Sequence, residues 1–204
     1  MKYDYVKSLD NERKNTLSKL ENIDSELAKL EQDRKAGDIS INLYNQSKTQ
    51  LIEDSKDIIA LSKIRLGRID DDFRQFVDEW NVIKGIAVTD DAKLIQNNMK
   101  MSKNQIREKM IQYKYNPTMA QMFYEYSKTL TFTDDMAKTP DYELSADDIK
   151  RRFSSLCDLV KYGIMGSKLS YNRTVITDNH FTRILAEKFT NDIDIREMDK
   201  YIKL

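Results

Sequence analysis

Leu20-Glu21-Asn22-Ile23-Asp24-Ser25-Glu26-Leu27-Ala28-Lys29-Leu30 and, shortly after, Ala36-Gly37-Asp38-Ile39-Ser40 are the stretches that decide the fold. Leu20, Ile23, Leu27 and Leu30 recur at alternating steps of three and four, the repeat that lays one narrow apolar seam along an α-helix. Followed backwards, the same phase passes through Thr16, Arg13 and Leu9. Leu20 and Leu27 take a positions, and Leu9, Ile23 and Leu30 take d positions. Glu12, Lys14, Lys19, Glu21, Glu26 and Lys29 cover the other faces with charge. Gly37 then ends the helix, because a left-handed residue after the last turn satisfies free carbonyls and Gly adopts it at least cost. Lys35 suits the negative end of the helix dipole, and Ser40 or Asp38 can cap a second helix.

The second helix repeats every seven residues at Ile52, Ile59, Leu66, Phe73 and Trp80, with Ile69 and Phe76 four residues ahead of the last two. Its stripe widens and turns aromatic. The expectation is an antiparallel hairpin over residues 1–80, with a thin polar tip near Gly37. Its root, at Ile69, Phe73, Phe76, Val77 and Trp80, docks on a core. Leu9, Leu20, Ile23, Leu27 and Leu30 form its interaction seam. Two clean heptads are too few for a free-standing coiled coil, so the arm is expected to clasp a partner or a sister subunit over a short length.

Composition agrees with helix. Gly and Pro number five and two among 204 residues, while 33 % are charged and 40 % hydrophobic. That is too apolar for a disordered chain and has few helix breakers. The 34 basic side chains balance the 34 acidic ones, so the totals give no general affinity for nucleic acid or anionic membrane. A single Cys157 excludes an internal disulfide. No apolar run approaches the ~18 residues of a membrane span, and the start of the chain lacks a signal-peptide core. A cytoplasmic location in a host cell, or within a virion, is expected, without membrane contact.

Residues 81–204 read as a bundle of shorter helices. Asn81–Val88 contains Gly85 among β-branched residues and suggests a loop or one short strand. Thr89 or Asp90 starts a short helix through Leu94 and Ile95. Ser102 caps one carrying Ile106, Met110 and Ile111. Asn116-Pro117 is a strong start signal, with Asn as cap and Pro in the first turn. Residues 131–144 read as an acidic loop. Ser145-Ala146-Asp147-Asp148 opens a helix packing Ile149, Phe153, Leu156, Leu159 and Val160, which stops at Gly163 or Gly166. Tyr171–Thr177 reads as a strand or extended loop, Asp178 as a cap, and Ile195, Met198 and Tyr201 as a last helical turn or two.

No residue set has the pattern of a catalytic centre. His180 is the only histidine and lacks a nucleophile or metal ligands nearby in sequence, so a surface or capping role fits it. Cys157 lies in an apolar stripe and reads as core. Asp70-Asp71-Asp72, Asp134-Asp135 and Asp147-Asp148 lack the alternating oxygen ligands of a hard-cation loop, and solvated faces or helix starts account for them. No cofactor loop or metal site is expected. Lys100, Lys103, Arg107, Lys109 and Lys114 make a candidate patch for an anionic partner, either nucleic acid, which is not favoured, or an acidic protein surface. Met119, Met122, Phe123 and Tyr126 read first as core, and otherwise as an adaptable groove for a protein partner.

Two resemblances add to this. Leu27, Leu30, Gly37, Ile39, Ser40 and Tyr44 match a pattern that resembles small oligomerisation hairpins of bacterial proteins. The string from Ile106 to Tyr126, with Tyr113, Asn116, Pro117, Thr118 and Met119, resembles a Tyr-x-x-Asn-Pro-Thr-Met motif of uncharacterised tailed-phage proteins of Gram-positive hosts. Those proteins pair it with an N-terminal coiled coil and belong with head or virion structural genes. The resemblance implies virion proteins as partners and no catalytic residues.

The sequence therefore predicts an all-α protein with at most one short strand or hairpin. Residues 1–80 form a hairpin arm and 81–204 a helical bundle. The expected role is non-enzymatic, a structural or assembly protein that oligomerises or docks through the hairpin. The alternatives are a regulatory binder of a host protein complex and a weak nucleic-acid-binding accessory protein.

Overall fold

The computed structural model describes residues 4–130, 145–166 and 186–204. The protein is an all-α bundle, and among the described residues there is no strand. Helix α1 spans Tyr5–Ala36 and α2 spans Ile41–Trp80. They are followed by α3 (Ala92–Gln96), α4 (Lys103–Gln112), α5 (Pro117–Thr129), α6 (Ala146–Gly166), α7 (Glu187–Asp192) and α8 (Ile195–Ile202). The expectations for residues 131–144, for Tyr171–Thr177 and for the cap at Asp178 lie outside the described residues.

The helix ends follow from their capping chemistry. Asp4 accepts the amide of Lys7 and starts α1. Gly37, at φ 82°, ends it, and the amides of Gly37 and Asp38 return to the carbonyls of Arg34 and Asp33. Ser40 accepts the Leu43 amide at 3.3 Å and caps α2. Ser102 and Gln105 complete a reciprocal capping box at α4. Asn116 caps α5 with Pro117 in its first turn, and Asp194 caps α8. Ser145 accepts the Asp148 amide, and α6 runs on to Gly166.

The chain divides into two compact units, Met1–Phe73 with Phe153–Phe189, and Arg74–Arg152 with Thr190–Leu204. This differs from a division at residue 80. The reason is aromatic: the ring of Phe153 stacks on Phe73 at 4.0 Å between centroids, while Tyr5 and Phe189 meet Phe73 edge-on. Helix α6 from Phe153 onward thus belongs to the core of the hairpin's root. Cys157, Val160 and Ile164 are buried along it. Ser154 adds a hydrogen bond to Asp70 at 2.8 Å.

Within the first unit α1 and α2 close on each other in constant register. Tyr5 meets Phe73, Glu12 pairs with Arg65, Thr16 bonds Ser62 and Glu31 accepts from Tyr44. Leu9, Leu20 and Ile23 are buried in this seam, whereas Leu27 and Leu30 are half-buried. On α2 the repeat positions Leu66 and Phe73 are fully buried, and Ile52 and Ile59 only partly.

The second unit has its own core of Ala92, Ile106, Met110, Met119, Phe123 and Tyr126. Residues 81–88 form a 3-10 turn at Gly85–Ala87 instead of a strand. The side chain of Thr118 explains this, because it accepts the Lys84 amide at 2.9 Å and donates to the Lys84 carbonyl. One hydroxyl thus does for an extended residue what a neighbouring strand would do.

Candidate interaction surfaces

The segment from Tyr113 to Met119 bonds to several parts of the second unit. The Tyr113 hydroxyl reaches Asp91 at 2.7 Å, and its ring lies parallel to Phe123. The Tyr115 carbonyl accepts from the Trp80 indole at 2.9 Å, and its hydroxyl accepts the Asp194 amide at the start of α8. Asn116 accepts the Met119 amide and donates to the Ala87 carbonyl at 2.8 Å. Thr118 holds Lys84 as described, and the Lys84 ammonium donates to the last carbonyls of α8, on Tyr201 and Ile202. Asn116, Pro117, Thr118 and Met119 are all buried. Through these side chains Tyr113, Asn116 and Thr118 tie the start of α3 and the 81–88 turn to α5. The motif is accounted for by folding.

Its electrostatics are those of a strut. Hydrogen bonds from Lys109 and then Tyr113 hold the Asp91 carboxyl below its ordinary range. Burial pushes the Tyr113 hydroxyl up. Both effects keep the charge states that the contact needs.

The Met/aromatic set does not form one groove. Met119 and Phe123 are fully buried in the core, because the Asn116 cap phases α5 so that these positions face α3 and α4. Tyr126 is also buried in that core, whereas Met122 is half-buried, and both border an open groove of about 580 Å³ with Ile83, Ile95, Asn98, Thr118, Gln121, Glu125 and Thr129. Beyond Ile83, which is 60 % exposed, the aliphatic surface of this unit includes Val82, Ile86 at 72 %, Val88 and Met99. The sequence reading treated this stretch as a loop or strand and missed its exposure. The signal was available in four aliphatic residues set around a glycine without a helical or alternating period.

The basic segment is likewise divided by helical phase. Successive residues turn by about 100°, which places Lys103 and Arg107 on one side of α4 and Lys109 on the other. Lys109 bonds Asp91 and Gln112. Lys114 sits over the Tyr115 ring at 4.7 Å, and Lys100 is exposed. Lys109 is thus engaged within the unit, apart from Lys103 and Arg107.

In the first unit the seam residues Leu9, Leu20 and Ile23 already have their partners in the same chain. The tip carries a polar clasp that the sequence reading did not foresee. The Tyr44 hydroxyl donates to Glu31 and accepts from Lys48, while Arg34 bonds Glu31 at 2.8 Å and covers the Tyr44 ring. Hydrogen bonds from Tyr44 and Arg34 hold the Glu31 carboxyl below its usual range. The outer face of α2 presents Asp54, Asp57, Leu61 and Ile64 at helical spacing, with both aliphatic side chains 53 % exposed.

Cys157 is fully buried, and His180 lies outside the described residues. Asp71 and Asp72 are exposed, and Asp134-Asp135 falls outside the described residues. Among the described residues no group of three His, Cys, Asp or Glu side chains could hold a metal ion, and no helix is long and apolar enough to cross a membrane. Comparison with protein-family models, with curated proteins and with solved structures returned no match.

Proposed function

We propose that this is a non-enzymatic assembly protein that associates with copies of itself. The outer face of α2 in one copy meets the aliphatic surface around Ile83 and Ile86 of the next. The observation that carries the reading is the concentration of exposed aliphatic side chains, Val82, Ile83, Ile86, Val88 and Met99, beside an open groove. Contiguous exposed apolar surface marks an interaction site, whereas scattered exposed residues do not.

A second copy is the occupant that the charge favours. Residues 1–80 carry about three excess negative charges and residues 81–129 about four excess positive ones. Segments of opposite net charge on one chain are complementary between copies. In the proposed arrangement they meet head to tail, a contact that closes into a ring or continues as a chain. That geometry suits a structural component. The Tyr-x-x-Asn-Pro-Thr-Met resemblance points the proposal to tailed-phage virions, as a head-morphogenesis or capsid-associated protein. The hairpin seam is not the contact in this reading, because it is filled within the chain.

Light scattering across a concentration series tests it. The wild-type mass should rise with concentration and fall back with added salt. Leu61→Asp with Ile64→Asp, and separately Ile83→Asp with Ile86→Asp, should each weaken association at least about tenfold. Mixed together, the two variants should form one-to-one pairs that grow no further, since each keeps the face the other lacks. A wild-type mass that stays at one chain throughout overturns the proposal. So does a mixture that fails to pair.

A further inference from the structure

The hairpin seam is interrupted by a buried polar layer. Arg13 is 3 % exposed and donates from Nε and Nη2 to Asp10 at 3.1 and 2.9 Å, while Asp10 also takes Lys14. One turn further, the hydroxyls of Thr16 and Ser62 lie 2.9 Å apart across the seam. Ser55, buried on the same face of α2, turns its hydroxyl back to the Ile52 carbonyl. Burial pushes the Asp10 carboxyl up, but hydrogen bonds from Lys14 and Arg13 outweigh it and keep it low.

The two sides of this layer are packed unequally. On the root side Tyr5, Leu9, Leu66 and Phe73 are buried among aromatic rings. On the far side the buried apolar residues are only Leu20, Ile23 and Tyr44, and Leu27, Leu30, Leu51, Ile52, Ile58 and Ile59 stay half-exposed. A hydroxyl pair exchanges water hydrogen bonds for one another and gains little net, and its small side chains make few dispersion contacts. The far end is held by the Tyr44–Glu31–Arg34–Lys48 clasp, whose ion pair lies at the surface and so holds weakly. Two short helices with little packing are marginal on their own.

We infer that residues 17–61 open and close as a cooperative unit of their own, hinged at the Arg13–Thr16–Ser62 layer, while the root stays folded. The polar layer is then a built-in boundary that lets the outer hairpin separate without unfolding the core. This inference concerns a single chain and does not depend on self-association.

Native-state hydrogen exchange on the full chain, below the concentration of any association, reads it directly. Amides in 17–36 and 41–61 should exchange together, at least about tenfold faster than those in 5–13 and 62–73. Thr16→Val combined with Ser62→Ala removes both hydroxyls and leaves none unpaired across the seam, so it should narrow that step. Equal protection along both helices in the wild-type chain overturns the inference. A step of unchanged size in the double variant overturns the role of the layer.

Discussion

The hairpin and the second unit reach stability by opposite means. In the hairpin one type of contact repeats along the seam, as at Leu9, Leu20 and Ile23. In the second unit α3, α5, α8 and the 81–88 turn meet at a single segment, where each of Tyr113, Tyr115, Asn116 and Thr118 makes a bond no neighbour duplicates. Redundant seams tolerate loss locally and can open in part. A hub without redundancy fails as a whole.

Substitution at the hub should have the largest effect. Asn116→Ala removes the α5 cap and leaves the buried Ala87 carbonyl without this donor, which should cost about 2–4 kcal/mol in denaturant unfolding. A cost below that of an ordinary surface change would break the comparison. In the hairpin, Leu20→Ala should cost about 2–3 kcal/mol, because the side chain is fully buried and the two helices cannot close the void. Leu27→Ala, half-buried nearer the tip, should cost less than about 1.5 kcal/mol by the same measurement. Equal losses at the two leucines would contradict the packing gradient.

The smallest effect concerns pH. Asp91 is held below its ordinary value of 3.8 by Lys109 and Tyr113, so its contribution is fully present above that value. It is lost as pH falls through the depressed value in the folded state. Asp91→Asn should therefore lower stability at neutral pH and lose that disadvantage in strong acid. A difference between variant and wild type that is constant with pH would remove the strut role.

The sequence carried the hairpin well because seven-residue periodicity and a C-terminal Gly are local signals. Gly37, Ser102, Asn116 and Ser145 act as read, since a cap depends on residues within one turn. What could not be read was long-range. Nothing in the spacing of Phe153 shows that its ring stacks on Phe73, the contact that groups α6 from Phe153 onward with the hairpin. Met119, Met122, Phe123 and Tyr126 form one set along the sequence, whereas their phase on α5 buries Met119, Phe123 and Tyr126 in the core and leaves Met122 half-buried beside an open groove. Helical phase likewise sets Lys109 apart from Lys103 and Arg107, because proximity along the chain is not proximity on a helix face. Thr118 replaces a strand partner for Lys84 from 34 positions away, a contact no local pattern announces.

The central claim is that the hairpin seam is filled by its own chain and is not the contact between copies. Thr16→Cys with Ser62→Cys, in a chain with Cys157→Ala, tests it most directly, because the two hydroxyls already lie 2.9 Å apart. Mild oxidation should give a disulfide within one chain, of monomer size on a non-reducing gel and formed to the same extent at every protein concentration. Cross-linked dimers that increase with concentration would show that the seam joins two molecules, and would contradict the account.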